Sequence, residues 1–262
     1  MVMHAEESAR MLLEARRQRR ALVPFPADLP LTAGMAEAIQ SAIIRRRSSE
    51  IAGWKVGMIQ PEARAMFGRE RFLGPVFGDT VYDAGRAEPN IALIPGGSAA
   101  IEAEFVCIID RDVHLGERFT KDTVLHLIAA VHIGIEVLTS PVGNLPSYGS
   151  AAVIADQGFN GGLVIGAGIA AWRTVLEETI PVSIHRNGET IAVGDRTAIS
   201  GGLLTALEFA VSAAGGTARG LKAGDCICLG ALAGMHAVTA GTTIQADFGR
   251  LGQIEVRFSQ PD

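Results

Sequence analysis

The chain reads as an α+β protein: one domain built on a mixed sheet, preceded by a helical N-terminal segment that packs onto it. Three observations carry that expectation. Residues 5–20 and 32–47 repeat apolar side chains at spacings of three and four, the period of an amphipathic helix. After Gly53 the texture changes to short β-branched runs separated by glycine-rich turns. Among those runs, Asn187-Gly188 joins two strand-like segments and is the signature of a two-residue type I′ hairpin.

The elements follow in order. Met11, Leu12 and Ala15 mark the apolar stripe of the first helix, and Met35, Ile39, Ala42 and Ile43 that of the second. Pro24, Pro26 and Pro30 keep the connection between them a loop, because proline fixes φ and removes an N–H donor. Thr32 suits the start of the second helix. Strands are expected near 52–58, 101–110, 133–139, 152–156, 161–166, 181–186, 190–194, 226–230 and 253–258. Helices are expected near 121–131, capped by Thr120 or Asp122, and near 201–214. The turn Leu221-Lys-Ala-Gly-Asp225, with Gly241 and Gly249 further on, has the cadence of a β-roll. No internal repeat or low-complexity linker interrupts the chain. Residues 1–50 are thus expected as a helical segment and 51–262 as the mixed-sheet domain, together one functional unit.

Composition narrows the function classes. The 262 residues are 48% hydrophobic and 19% charged, which suits a core-forming protein. A net charge of −5 disfavours nucleic acid as a partner. The basic groups Arg16–Arg20 and Arg45–Arg47 sit on helical segments and read as solvated faces. No apolar run reaches the roughly 18 residues of a membrane span. Glu6 and Glu7 come early and no apolar stretch precedes the arginines, unlike a signal peptide. Three cysteines make no disulfide framework, and a cytoplasmic protein with buried thiols is expected.

The most informative segment is Ile101-Glu-Ala-Glu-Phe-Val-Cys-Ile-Ile109. Side chains alternate along a strand, so Glu102 and Glu104 share a face with Val106 and Ile108. Neighbouring buried carboxylates are costly unless something neutralises them. Glu136 lies in a similar apolar run, Val131–Leu138. Three carboxylates without a well-placed His or Cys suit a hard ion, Mg²⁺ or Mn²⁺, rather than Zn²⁺. An exposed strand end, or ion pairs with arginine, would serve the same pattern.

Other candidates are less specific. Lys55 sits within Gly53-Trp-Lys-Val-Gly57, where it is desolvated or paired and could hold a carboxylate or move a proton, or else snorkels at a strand end. Asp79 and Asp156 each end an apolar run, as a site residue or a turn former does. Gly162-Leu-Val-Ile-Gly-Ala-Gly168 imitates a dinucleotide fingerprint, but no βαβ unit surrounds it. His185 and His236 alone lie near plausible site loops, and no Ser-His-Asp or Cys-His spacing supports a nucleophilic hydrolase.

Taken in order, Gly53-Trp-Lys-Val-Gly57, Ile101-Glu-Ala-Glu-Phe105, Glu136-Val-Leu138, Ala155-Asp156 with Gly161 and Gly166, Leu221–Asp225, Gly230-Ala-Leu232, and Ala246-Asp-Phe-Gly249 with Leu251-Gly252 are familiar. The chain resembles the 2-keto-4-pentenoate hydratase and 4-oxalocrotonate decarboxylase family, within the fumarylacetoacetate hydrolase superfamily, over nearly its whole length. That resemblance implies a mixed β-roll with flanking helices, and Mg²⁺ or Mn²⁺ on Glu102, Glu104 and Glu136. It implies a small 2-oxo or 2-hydroxydienoic acid as substrate, homo-oligomerisation, and a place in aromatic compound catabolism. It further implies that Lys55 holds substrate or relays a proton, that Asp79 or Asp156 is a general acid or base, and that Gln157, Phe159 and Leu232 face the substrate.

The departures concern the substrate side. Gln157, Gly158 and Phe159 stand where relatives carry Asn and a small polar residue after Ala-Asp. Gly201-Gly-Leu203 replaces Gly-His-Pro, Pro141 replaces an arginine, and Leu229 replaces a threonine. The implied reaction is hydration of a 2-hydroxy-2,4-dienoate, ahead of decarboxylation; the departures leave metal binding intact and point either to a changed substrate, bulkier or less charged, or to loss of water addition. Acylpyruvate C–C hydrolysis and a non-catalytic, acid-binding role are the rivals.

Overall fold

The computed structural model describes residues 2–261. Helices α1 (Val2–Arg17) and α2 (Ala33–Arg46) form where the apolar spacing predicts them, and the Thr32 hydroxyl accepts from the Met35 amide at 3.2 Å to cap α2. Leu12 and Ala15 of α1, with Ile39, Ala42 and Ile43 of α2, are fully buried and belong to the main core.

From there the chain runs through β1 (Ile51–Met58), the short helix α3 (Arg64–Phe67), β2 (Arg71–Phe77), β3 (Val81–Asp83), β4 (Asn90–Ala92) and the long β5 (Ser98–Ile109). One turn of helix, α4 (Lys121–Val124), leads into β6 (Ile128–Ser140), and α5 (Gly149–Ala155) into β7 (Asn160–Gly168). After α6 (Trp172–Val175) come β8 (Val182–Arg186), β9 (Glu189–Gly194) and α7 (Leu203–Gly215). The strands β10 (Cys226–Cys228), β11 (Met235–Ala237), β12 (Thr243–Asp247) and β13 (Gln253–Ser259) follow.

Among the described residues, one sheet has the order β2-β1-β10-β5-β6-β7-β3, with β11 also on β5, and a second the order β4-β13-β12-β8-β9. Both are mixed, because β1–β10, β3–β7 and β13–β4 run parallel. The strand β5 has two buried faces. Ile101, Ala103, Phe105, Cys107 and Ile109 enter the large core, where the Phe105 ring lies 6.1 Å from that of Phe248. Val106 and Ile108, on the opposite face, join Val76, Leu163, Cys226 and Cys228 in a second apolar cluster. The acids share that second face.

Asn187 and Gly188 carry φ of 50° and 86° between β8 and β9, the left-handed pair that a type I′ turn requires. Two expectations need correction. The run 152–156 is helical and ends α5: Ala151, Ala152 and Ala155 favour helix, and an apolar stretch buried all round has no period to reveal its type. The helix expected over 121–131 stops early, because Ile128–Val131 pairs with β5 instead. Strand β2 escapes sequence reading because Gly74-Pro75 interrupts it, and its place at the sheet edge is what tolerates the proline. The three cysteines are free and buried, and none of the described helices is long and apolar enough to cross a membrane.

Gly53 lets β1 lie close against β10: a methyl group there would sit 2.0 Å from the Cys226 carbonyl oxygen. Gly53→Ala is expected to cost about 1–3 kcal/mol or more, read from chemical denaturation, by forcing apart the strand pair that places Lys55.

Candidate metal centre and cavity

Strand register assembles the acids. Glu102 of β5 stands directly across from Glu136 of β6, and Glu104 stands across from Gly134. Alternation puts Glu102 and Glu104 on one face, and Gly134 has no side chain to crowd the space beside Glu104. One carboxylate oxygen from each of the three acids lies within 4.8 Å of the others. Glu104 and Glu136 are fully buried and Glu102 is half-buried. Like charges directly opposite on paired strands repel.

Only part of that charge is answered. Lys55, delivered by β1 across β10, brings Nζ to 3.4 Å from Glu136 Oε2. Asn160 donates to Glu136 Oε1 at 2.9 Å, and the Gly230 amide to Glu104 Oε2 at 2.7 Å. Glu104 Oε1 has no hydrogen-bond partner, and Glu136 Oε2 has only the approach of Lys55. Burial, then the charges of Glu136 and Glu102, push the Glu104 carboxyl well above its ordinary range. Burial, reinforced by Glu102 and opposed by Lys55, pushes Glu136 up to about 7. For Lys55, burial acts to lower the pKa, but Glu136, Glu102 and Glu104 together outweigh it and hold the ammonium above its ordinary value. Two inward-facing oxygens without donors, in a set of three carboxylates, fit a hard divalent cation with oxygen ligands.

Glu102 and Lys55 line a cavity of about 410 Å³, with Glu104 and Glu136 buried behind them. Phe72, Leu138, Val153, Phe159, Ile199 and Leu229 supply apolar wall; Lys55, Glu102 and Arg71 supply charge. The Lys55 ammonium lies 5.5 Å from the Phe72 ring centroid.

Four expected site residues lie elsewhere. Asp79 is in an exposed turn, paired with Arg47 at 2.6 Å. Asp156 is fully buried but consumed by Arg16 at 2.8 Å and the Ser140 hydroxyl at 2.5 Å, a clamp between α1 and β6. Gln157 turns to a second, smaller cavity lined by Arg16, Arg19 and Arg47. Leu232 is buried without lining the main cavity; its amide donates to the Ala103 carbonyl. The reason is shared: each follows or ends an apolar run, and a run does not say which face its last residue takes. Sequence reading missed Asn160, Arg71 and the Gly230 amide. A polar residue opening the apolar run 161–166 could have revealed Asn160; a backbone donor leaves no mark in sequence.

A family model described as fumarylacetoacetate (FAA) hydrolase C-terminal matches residues 76–259. A 2-keto-4-pentenoate hydratase from Burkholderia vietnamiensis is 26% identical over 257 residues, covering 96% of each chain. A 4-oxalocrotonate decarboxylase from Pseudomonas putida is 26% identical over 239 residues, 88% of each. The structure of 4-oxalocrotonate decarboxylase from Pseudomonas putida G7, complexed with magnesium and adipate, shares the fold, with a TM-score of 0.81 at 22% identity over 98% of both chains.

Between pH 4.5 and about 7, native Glu136 keeps a proton that the unfolded chain has lost, so metal-free protein is expected to lose stability as pH rises through that window. Thermal melts in chelator at pH 5 and pH 8 check the sign. Glu104→Gln should raise the melting temperature of metal-free protein at pH 8, by removing one of the repelling charges, and should abolish the rise that Mg²⁺ gives the unsubstituted chain.

Proposed function

The chain belongs to the fumarylacetoacetate hydrolase family, and on that premise we propose that it is a divalent-metal-dependent lyase acting on a 2-hydroxy-2,4-dienoate or 2-oxo-alkenoate, with hydration as the leading reaction. The observation that carries this reading is the convergence of Glu102, Glu104 and Glu136 with Lys55, where Glu102 and Lys55 line a largely apolar cavity. The three carboxylates would hold Mg²⁺ or Mn²⁺, which when bound supplies a Lewis acid for the oxygens of a 2-oxo acid.

The protein's own groups do the rest. Lys55 lines the cavity with its Nζ 3.4 Å from Glu136, so it can donate a hydrogen bond toward an oxygen that gains negative charge. Asn160 and the Gly230 amide fix the orientation of Glu136 and Glu104. Phe159, Leu229 and Val153 exclude water from the hydrocarbon part of the ligand. That apolar wall favours one second reading, decarboxylation, since loss of CO₂ from a carboxylate needs no added water. Acylpyruvate hydrolysis is less well served: among the described residues no histidine lines the cavity to activate water. The reading takes the working unit to be a cytoplasmic homo-oligomer, on the strength of the family resemblance, and the buried free thiols are consistent with a reducing compartment.

Purified protein with 2-hydroxypenta-2,4-dienoate is expected to consume the dienol band in the ultraviolet with Mg²⁺ or Mn²⁺ and to stop in chelator. Product analysis separates water addition from CO₂ release, and absence of turnover with metal bound would favour a binding role. Lys55→Gln should lower kcat by about 10²–10⁴-fold with metal binding retained; unchanged kcat would remove Lys55 from the chemistry.

A further inference from the structure

The second cavity, of about 160 Å³, gathers arginines from the two basic groups that end the N-terminal helices. Arg16 lies in the last turn of α1, Arg47 caps the C-terminus of α2, and the exposed Arg19 follows α1. All three line the cavity, and among the described residues no acid does. Asp156 answers Arg16 and Asp79 answers Arg47, which leaves the charge of Arg19 in excess.

Hydrogen bonding around this cavity is incomplete as well. The Arg47 guanidinium lies over Phe77, 4.5 Å from the ring centroid, with Nη2 on Asp79, yet its Nε is buried without an acceptor. Gln157 is only 3% exposed, and its Oε1 is buried without a donor. Its Nε2 donates to the Asn160 carbonyl at 3.4 Å, which orients the amide and makes the free atom the acceptor. An unmet donor and an unmet acceptor on one cavity, beside excess positive charge, suit a ligand that is anionic and still carries an O–H.

We propose that this cavity binds inorganic phosphate as the hydrogenphosphate ion. Its charged oxygens accept from Arg19 and from Arg47 Nε, and its one remaining O–H donates to Gln157 Oε1. Sulfate has the same shape and charge but no proton for Gln157. A phosphate monoester, with a second pKa near ~6, has lost its proton well above that pH. At ~30 Å³ of liquid volume per water, the cavity has room for about five waters, so one such ion fits. Asn160 lines the same cavity and donates to Glu136, which puts the ion one side chain from the acid cluster. None of this depends on the lyase reading.

The test titrates potassium phosphate, sulfate and methyl phosphate calorimetrically, at pH 8 and equal ionic strength, into Mg²⁺-loaded protein freed of excess ion. Phosphate is expected to saturate a single site, with sulfate and methyl phosphate at least about tenfold weaker, the factor that one hydrogen bond to a charged ligand supplies. Gln157→Met should bring phosphate and sulfate to equal affinity. Arg19→Gln, at an exposed position that should leave the melting temperature unchanged, should weaken phosphate about threefold or more. No saturable phosphate binding leaves the cavity to water and overturns the assignment, as does equal binding of phosphate and sulfate by unsubstituted protein. Phosphate affinity untouched by Arg19→Gln puts the ion elsewhere and overturns it too. A preference over sulfate that survives Gln157→Met, in a variant that melts like the unsubstituted chain, does the same.

Discussion

Glu102 and Glu136 face each other across β5 and β6, with fully buried Glu104 two residues along the same face. Three like charges in so small a volume, answered by one lysine, one amide side chain and one backbone N–H, leave two buried oxygens without donors. The surrounding fold is organised so that this arrangement survives. The opposite face of β5 is committed to the large core, which fixes the strand's rotation and so forbids the acids to turn toward solvent.

The same constraint explains why distant parts of the chain meet. Lys55 reaches Glu136 because β10 inserts between β1 and β5, parallel to one and antiparallel to the other. Asn160 opens β7, the next strand on the far side of β6, and the Gly230 amide follows β10. The α1 helix is bound to the sheet by Arg16, whose guanidinium bridges Asp156 and the Thr139 carbonyl at the end of β6. What sequence reading takes for a catalytic aspartate is therefore part of the frame that keeps the acid-bearing strand in place.

Legibility in the sequence tracks the physical origin of each signal. The acids were legible because charge inside an apolar, period-two run is anomalous at the level of a few residues, and β5 and β6 formed as that pattern requires. The hairpin at Asn187-Gly188 was legible because only a short list of residues adopts left-handed φ in succession. Helix α5 was not, since Ala151–Ala155 is apolar on every side, and strand β2 was hidden by Gly74-Pro75. Asp79 and Asp156 end apolar runs and so point to the site by position alone, whereas Arg71, buried at a strand start among charged neighbours, gives no local sign that it lines the main cavity. Such features depend on which face a terminal residue takes, and tertiary packing decides that.

The most direct test of the central claim is calorimetric titration of Mg²⁺ into metal-free protein near pH 6, repeated in buffers of different ionisation enthalpy. If the buried carboxylates hold protons that a cation must displace, binding will release protons, and the number released will fall as the pH is raised toward 8. Mg²⁺ binding with no proton release at either pH, or no saturable binding at all, would contradict the account of a carboxylate cluster built around a divalent ion.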